Sequence, residues 1–165
     1  MLGELLSKEE CAQCRLCCTF DSYDLLDTPL ITPDMREKIS AVLPQQRFIT
    51  KGSCSLLRLE RDSDGDVYPC SLLDKSRGCI LGDVKPFECR IWPLRVMIKN
   101  GVRVIALSTV CPVVSKKPAE LISEVCRRIA PEIFCYADRF PELVKPYNEG
   151  FPIIAEENSS DDKKG

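Results

Sequence analysis

The spacing of apolar residues changes along the chain. Between Leu94 and Leu107, Leu94, Val96 and Ile98 recur at every second position on one arm and Val102, Val104 and Ala106 on the other. A period of two marks strands with one buried face. Asn100-Gly101 sits between the arms and suits the left-handed backbone of a type I′ turn, so the segment is predicted to be a two-residue hairpin. Farther on, Leu121, Ile122, Val125, Cys126 and Ile129 recur at helical spacing after Pro118, which can open a helix. Pro131 is predicted to end or kink that helix, and a second helix is predicted to carry Phe134 to Phe140.

The first half is more broken. Residues 1–10 are predicted to form a short helix leading into a loop of cysteines. Thr32-Pro33-Asp34 has the form of a helix start, with a capping hydroxyl, Pro at the first helical position and an acid in the first turn. This helix should run to about Leu43 and stop before Pro44. Phe48 to Leu59 and Val67 to Leu73 read as β, joined by the turn Asp62-Ser63-Asp64-Gly65-Asp66. That turn resembles a calcium loop only superficially: its Gly comes too early for an EF-hand and no Glu closes it, so it reads as a solvated turn. The expected architecture is α+β: one small domain over residues 1–155, with a small antiparallel β region and a helical C-terminal third. Residues 156–165 are polar and charged and read as a disordered tail.

The chain has 165 residues, 23 Lys+Arg against 25 Asp+Glu, 11 Cys and no His. A chain of this length needs no covalent staples merely to fold. Its balanced charge gives no reason to expect nucleic acid as a partner. The absence of His removes the usual neutral-pH base and every mixed Cys/His zinc site. No stretch approaches the roughly 18 apolar residues of a membrane span, so no membrane partner is expected. MLGELLSKEE lacks the basic start and apolar run of a secretory signal. The chain therefore reads as cytoplasmic, where clustered cysteines bind metal or do redox chemistry rather than form structural disulfides.

Cys11, Cys14, Cys17 and Cys18 lie within eight residues. Thiolates so concentrated repel one another unless a cation neutralises them. Adjacent side chains diverge, so Cys17 and Cys18 are poorly placed to bind one ion together, and the doublet suggests two sites or one site plus a core position. Cys70, Cys79, Cys89 and Cys111 each fall beside Pro, Gly or a turn, where backbone N–H groups can point at sulfur. All eight are candidate metal ligands. Cys54, Cys126 and Cys135 read instead as small packing residues. Arg90 reads as an ordinary ion-pair residue and Trp92 as a core residue.

The ordered series Cys11-Ala12-Gln13-Cys14-Arg15-Leu16-Cys17-Cys18, Cys70-Ser71-Leu72-Leu73, Gly78-Cys79-Ile80, Lys85-Pro86-Phe87-Glu88-Cys89-Arg90-Ile91-Trp92-Pro93-Leu94 and Cys111-Pro112 resembles the YkgJ-type cysteine-cluster family, the zinc- or iron-chelating CxxCxxCC domain. Flagellin lysine N-methylases contain the same core. Three positions depart from the family pattern: Arg15 stands where Gly is frequent, Leu81 where Tyr is frequent, and Lys85 where Arg is usual. Every expected sulfur remains. The resemblance implies metal binding and, through the methylase relatives, an iron–sulfur cluster.

Thiolate-only ligands suit either an iron–sulfur cluster, 4Fe-4S above all, or zinc. The run Cys11-x₂-Cys14-x₂-Cys17 with a remote Cys111-Pro112 matches a ferredoxin-like ligand pattern. One grouping joins Cys11, Cys14 and Cys17 with Cys111, and leaves Cys18, Cys70, Cys79 and Cys89 for a second site. With iron–sulfur the chain would be a redox or maturation factor. With zinc it would be a structural module presenting a surface to a protein partner. A methylase-like enzyme is the third alternative. It is disfavoured because no Gly-rich nucleotide loop and no Cys-x₃-Cys-x₂-Cys motif is present, so no catalytic residue is assigned.

Overall fold

The computed structural model of the chain describes residues 2–21 and 28–157. In chain order the elements are helix α1 (Lys8–Cys14), strands β1 (Thr19–Phe20) and β2 (Leu30–Ile31), helix α2 (Pro33–Val42), and strands β3 (Phe48–Lys51), β4 (Cys54–Leu57), β5 (Tyr68–Pro69), β6 (Leu73–Asp74) and β7 (Gly78–Cys79). Helix α3 (Phe87–Ile91), strands β8 (Leu94–Lys99) and β9 (Val102–Leu107), helix α4 (Ala119–Arg139), and strands β10 (Lys145–Pro146) and β11 (Ile153–Glu156) follow. The class is α+β, as the apolar pattern indicates.

The expected hairpin is the centre of the largest sheet. Lys99 pairs with Val102 and Leu94 with Leu107, and Asn100 and Gly101 have φ of 51° and 83°, as a type I′ turn requires. β10 joins β8 in parallel and β11 joins β9 antiparallel, giving the order β10-β8-β9-β11. One face, with Leu94, Val96, Ile105 and Leu107, packs against Ile122, Val125, Ile129 and Ile133 of α4 in the main core. Met97, Val104 and Ala106, on the opposite face, pack against Tyr147, Phe151 and Ile153. β11 carries the ordered chain beyond position 155: Glu156 pairs with Val104, and the Glu157 N–H donates to the Arg103 carbonyl. The rest of the predicted tail, 158–165, lies outside the described residues.

Helix α4 corrects the expectation that Pro131 ends one helix and that a second carries Phe134 to Phe140. One helix runs through it from Ala119 to Arg139. An interior Pro forfeits a backbone hydrogen bond and costs about 3 kcal/mol. Buried Ile129, Ala130, Ile133, Phe134 and Ala137 lie on both sides of it, and each large apolar residue returns roughly 1.5–3 kcal/mol on burial. Packing outweighs the local defect.

The N-terminal helix also differs. It starts at Lys8 because Ser7 and Glu10 form a reciprocal capping box: Ser7 Oγ accepts from the Glu10 N–H at 3.1 Å, and Glu10 Oε2 from the Ser7 N–H at 2.8 Å. Cys11 and Cys14 are therefore inside a helix rather than on a loop after one. Arg15 ends α1 with φ of 55°, and its N–H donates to the Cys11 carbonyl. Helix α2 matches its predicted bounds to within one residue, with Thr32 donating to Asp34 at 2.5 Å rather than capping the helix. Its Met35 and Ile39 join Phe20, Ile31, Leu57, Leu72 and Leu81 in a second core, against which Cys70 and Cys79 pack.

Candidate metal centre

The cysteine islands are brought together by short pairings rather than by a large sheet. A turn of 3₁₀ helix, Leu16–Cys18, follows α1 and feeds β1. β1 pairs antiparallel with β5, Thr19 opposite Pro69, and the Cys70 N–H donates to the Cys18 carbonyl at 2.8 Å. This places the second island beside the first. β6 and β7 form a small hairpin, Leu73 opposite Cys79, held by Asp74. Asp74 Oδ1 accepts from the Ser76 N–H and hydroxyl and from the Arg77 N–H, at 2.6–2.8 Å. Those hydrogen bonds hold its carboxyl far below the ordinary carboxylate range. β7 then lies against α1, and Cys79 comes to Cys11.

The result is a connected network of thiols. Cys11 donates a hydrogen bond to the Cys17 sulfur, which with burial drives the Cys11 pKa far upward; Lys85 opposes this. At Cys17 the Cys11 bond pulls the pKa down, but the bond to Cys18 and burial outweigh it and push the thiol up to about 12. Burial lifts Cys70 to about 11, with repulsion from Cys79 and Cys17 adding to it. Burial also raises Cys79, next to Cys11. Cys89 is held well above its ordinary value by burial and by Cys70, Cys17 and Cys79. These six thiols are close enough for each to sense at least one other.

The remaining two candidates, Cys14 and Cys111, join at a second feature. Cys11, Cys14, Cys17 and Cys111 together line a cavity of about 10 Å³, the size of one water-sized sphere, closed by Leu6, Trp92 and Pro112. That is the first of the two groupings expected from the spacing. In the second grouping, Cys70, Cys79 and Cys89 lie together, but Cys17 rather than Cys18 is the thiol that acts on Cys70 and Cys89.

Backbone donors are already aimed at sulfur. The Leu72 N–H points at Cys70, and the Leu81 and Gly82 N–H groups point at Cys79, each lowering the pKa of its thiol against burial. Such N–H groups stabilise the anionic form a metal requires. Among the described residues, however, no three Cys, Asp or Glu side chains stand close enough about one point to hold an ion in this arrangement. The sulfurs are neighbours without being drawn into a ligand cage. Donor type, convergence and N–H orientation fit a thiolate-held metal; the spacing would have to contract on binding.

The three cysteines expected to be packing residues stand outside this network. Cys54 is buried in β4 and Cys126 is fully buried in α4. Cys135 corrects its expectation, because it is exposed on the outer face of α4. Trp92 is also more than a core residue. It is half-buried and lines both the small cavity and an adjoining one of about 410 Å³, which Cys17 and Cys89 also line. The Arg95 guanidinium carbon lies 4.8 Å from the Trp92 ring centroid. The Arg90 guanidinium carbon lies 5.3 Å from the Phe87 ring centroid, and among the described residues Arg90 makes no ion pair of the expected kind.

Two features were not foreseen in the sequence. Lys85 places positive charge near Cys11, Cys17 and Cys79 and lowers the pKa of each. Its place in Lys85-Pro86, where the resembled family has Arg, was the available signal. Lys145 of β10, buried, pairs with Glu88 at 2.7 Å, and Glu88 also accepts from the Leu30 N–H at 2.5 Å. No spacing rule connects positions 57 residues apart. No helix among the described residues is long and apolar enough to cross a membrane. No family model, no curated protein and no solved structure matches the chain.

Proposed function

We propose that this chain is a cysteine-cluster metal-binding protein, using Cys11, Cys14, Cys17, Cys18, Cys70, Cys79, Cys89 and Cys111 to hold an iron–sulfur cluster or zinc. The observation that carries this reading is the convergence of thiols from α1, the 3₁₀ turn, β7, α3 and the segment after β5 onto one neighbourhood. Without a cation, the Cys11–Cys17 hydrogen bond, burial and mutual repulsion hold Cys11, Cys17, Cys70, Cys79 and Cys89 in the protonated form. Deprotonation against a metal turns the same crowding into binding energy. The resemblance to the YkgJ-type family supports the same reading.

When bound, an iron–sulfur cluster supplies one-electron chemistry and zinc a rigid crosslink. The chain's own part is to hold the sulfurs, screen them with Lys85 and orient them with backbone N–H groups. The former metal suits a redox or maturation factor, the latter an interaction module. We assign no catalytic residue.

The test is anaerobic purification followed by elemental and acid-labile sulfide analysis. Iron with equimolar sulfide and a brown colour bleached by dithionite identifies a cluster; colourless protein with stoichiometric zinc identifies the structural site. A chain that retains neither metal, and takes up neither on reconstitution, overturns the reading.

A further inference from the structure

We propose that the cavity of about 410 Å³ beside the thiols is a binding site for a small organic carboxylate, with the acid group held by Arg95 and Ser108 and the hydrocarbon body laid against Trp92, Phe20 and Phe151. The site goes beyond the metal reading and does not rest on it. Strand alternation builds it. Leu94 and Val96 of β8 turn to the main core, so Arg95 between them turns to the opposite face. Its partner across the hairpin is Ala106, the smallest side chain in either strand, which leaves room beside the guanidinium. Ser108, two residues beyond Ala106, falls on the same face. Its N–H donates to the Pro93 carbonyl at 2.9 Å and carries the pairing past Leu107. Phe20 comes from β1 and Phe151 from the segment before β11, so the cavity lies where the large sheet meets the cysteine islands.

The polar groups on the wall select an acid. Ser108 is 2% exposed, and its hydroxyl has no hydrogen-bond partner. Leaving a buried hydroxyl unpaired is costly, and a ligand oxygen would offset that cost. Arg95 is 9% exposed, and its stack on Trp92 restrains the guanidinium. A guanidinium carries five N–H donors in a planar fork, which matches the two oxygens of a carboxylate. The carboxylates on the lining do not cancel this attraction: Glu88 is paired with Lys145 at 2.7 Å, and Asp21 is exposed. The rest of the wall is mainly aromatic and aliphatic, and the volume falls among small-molecule clefts, roughly 300–1,000 Å³. Cys17 and Cys89 stand on the same wall, so the bound acid lies against two of the candidate sulfurs.

The experiment titrates 3-phenylpropionate into the full chain and follows the fluorescence of Trp92, the only Trp in the sequence. The amide of the same acid and acetate are the controls. We expect a saturable change with the acid, at least about tenfold tighter than with the amide, which has the same body without the charge. Acetate, which lacks the body, should not saturate. Arg95→Lys keeps the charge and loses the fork, so it should weaken the acid about tenfold and change the amide little. Ser108→Ala should weaken the acid about fivefold. Acid and amide are compared on the unmodified chain, so a variant that misfolds does not blunt the test. Equal affinity for acid and amide overturns the carboxylate assignment. No saturable change with either, or unaltered affinity in both folded variants, overturns the site. Each of these outcomes leaves the thiolate metal reading where it stands.

Discussion

Gly78 lies directly against Ala12. A methyl group placed on Gly78 would stand 3.1 Å from the Ala12 Cβ and 3.4 Å from its Cα, and Gly78 holds φ at +83°, where side chains are strained. This close approach lets β7 lie on α1 and carry Cys79 to Cys11. Gly78→Ala should cost about 1–3 kcal/mol from the positive φ and the crowding together. It should also lower metal content, because it pushes two thiol-bearing elements apart. Denaturant melts and metal analysis of the same samples check both; full metal content at reduced stability would show that the contact is merely structural.

How much of this could be read from the sequence depended on the range of each interaction. The β8–β9 hairpin was legible because its pattern and its Asn100-Gly101 turn are local. Helix α2 was legible for the same reason, through Thr32-Pro33-Asp34. Pro131 misled because a local rule was overruled by tertiary burial along α4. Spacing and neighbours singled out eight cysteines; Cys11, Cys14, Cys17 and Cys111 line one small cavity, and Cys70, Cys79 and Cys89 lie near Cys17 or Cys11. The spacing suggested the first grouping, Cys11, Cys14 and Cys17 with Cys111, but not the second. Whether Cys17 or Cys18 faces the second island depends on a 3₁₀ turn and on the pairing of β1 with β5, and two-residue strands leave no periodic trace.

The pair Lys145–Glu88 yields a stability prediction. Both side chains are largely removed from water, at 5% and 13% exposure, and burial lowers the Lys145 pKa against the attraction of Glu88. Breaking such a pair from one side leaves an uncompensated buried charge, typically at a cost of about 3–5 kcal/mol. Lys145→Met alone should show that loss in urea denaturation. Adding Glu88→Gln should recover much of it, because the amide carbonyl still accepts from the Leu30 N–H. A double variant no more stable than Lys145→Met would show that the Glu88 charge was not the source of the cost.

The cysteines outside the network should separate packing from ligation. Cys126→Ala removes a fully buried sulfur and should cost about 1–2 kcal/mol while leaving metal content unchanged. Cys135→Ala changes an exposed position and should alter stability by no more than about 0.5 kcal/mol. Cys89→Ala should instead empty a metal position. Metal-to-protein ratios across the three variants check this, and a metal loss at Cys126→Ala as large as at Cys89→Ala would contradict the division.

Asp74 gives the hairpin of Cys79 a pH signature. Its carboxylate accepts from Ser76 and Arg77, and these bonds depress its pKa in the folded chain relative to an unfolded Asp near about 3.9. A depressed folded pKa means that the unfolded chain binds the proton first. The stabilising contribution is thus complete above about pH 5 and is lost as pH falls below roughly 4 towards the folded pKa. Asp74→Asn cannot titrate, so the lead of the wild type over this variant in thermal midpoint should be constant from pH 7 to about 5 and shrink steadily below about 4. Because Asp74 sets the turn that holds Leu73 opposite Cys79, the protection of the Ile80 amide against hydrogen exchange, relative to its intrinsic rate at each pH, should fall over the same acidic range in the wild type. A lead that persists undiminished to pH 2 would mean that the hydrogen bonds survive protonation and that the charge is irrelevant to the turn.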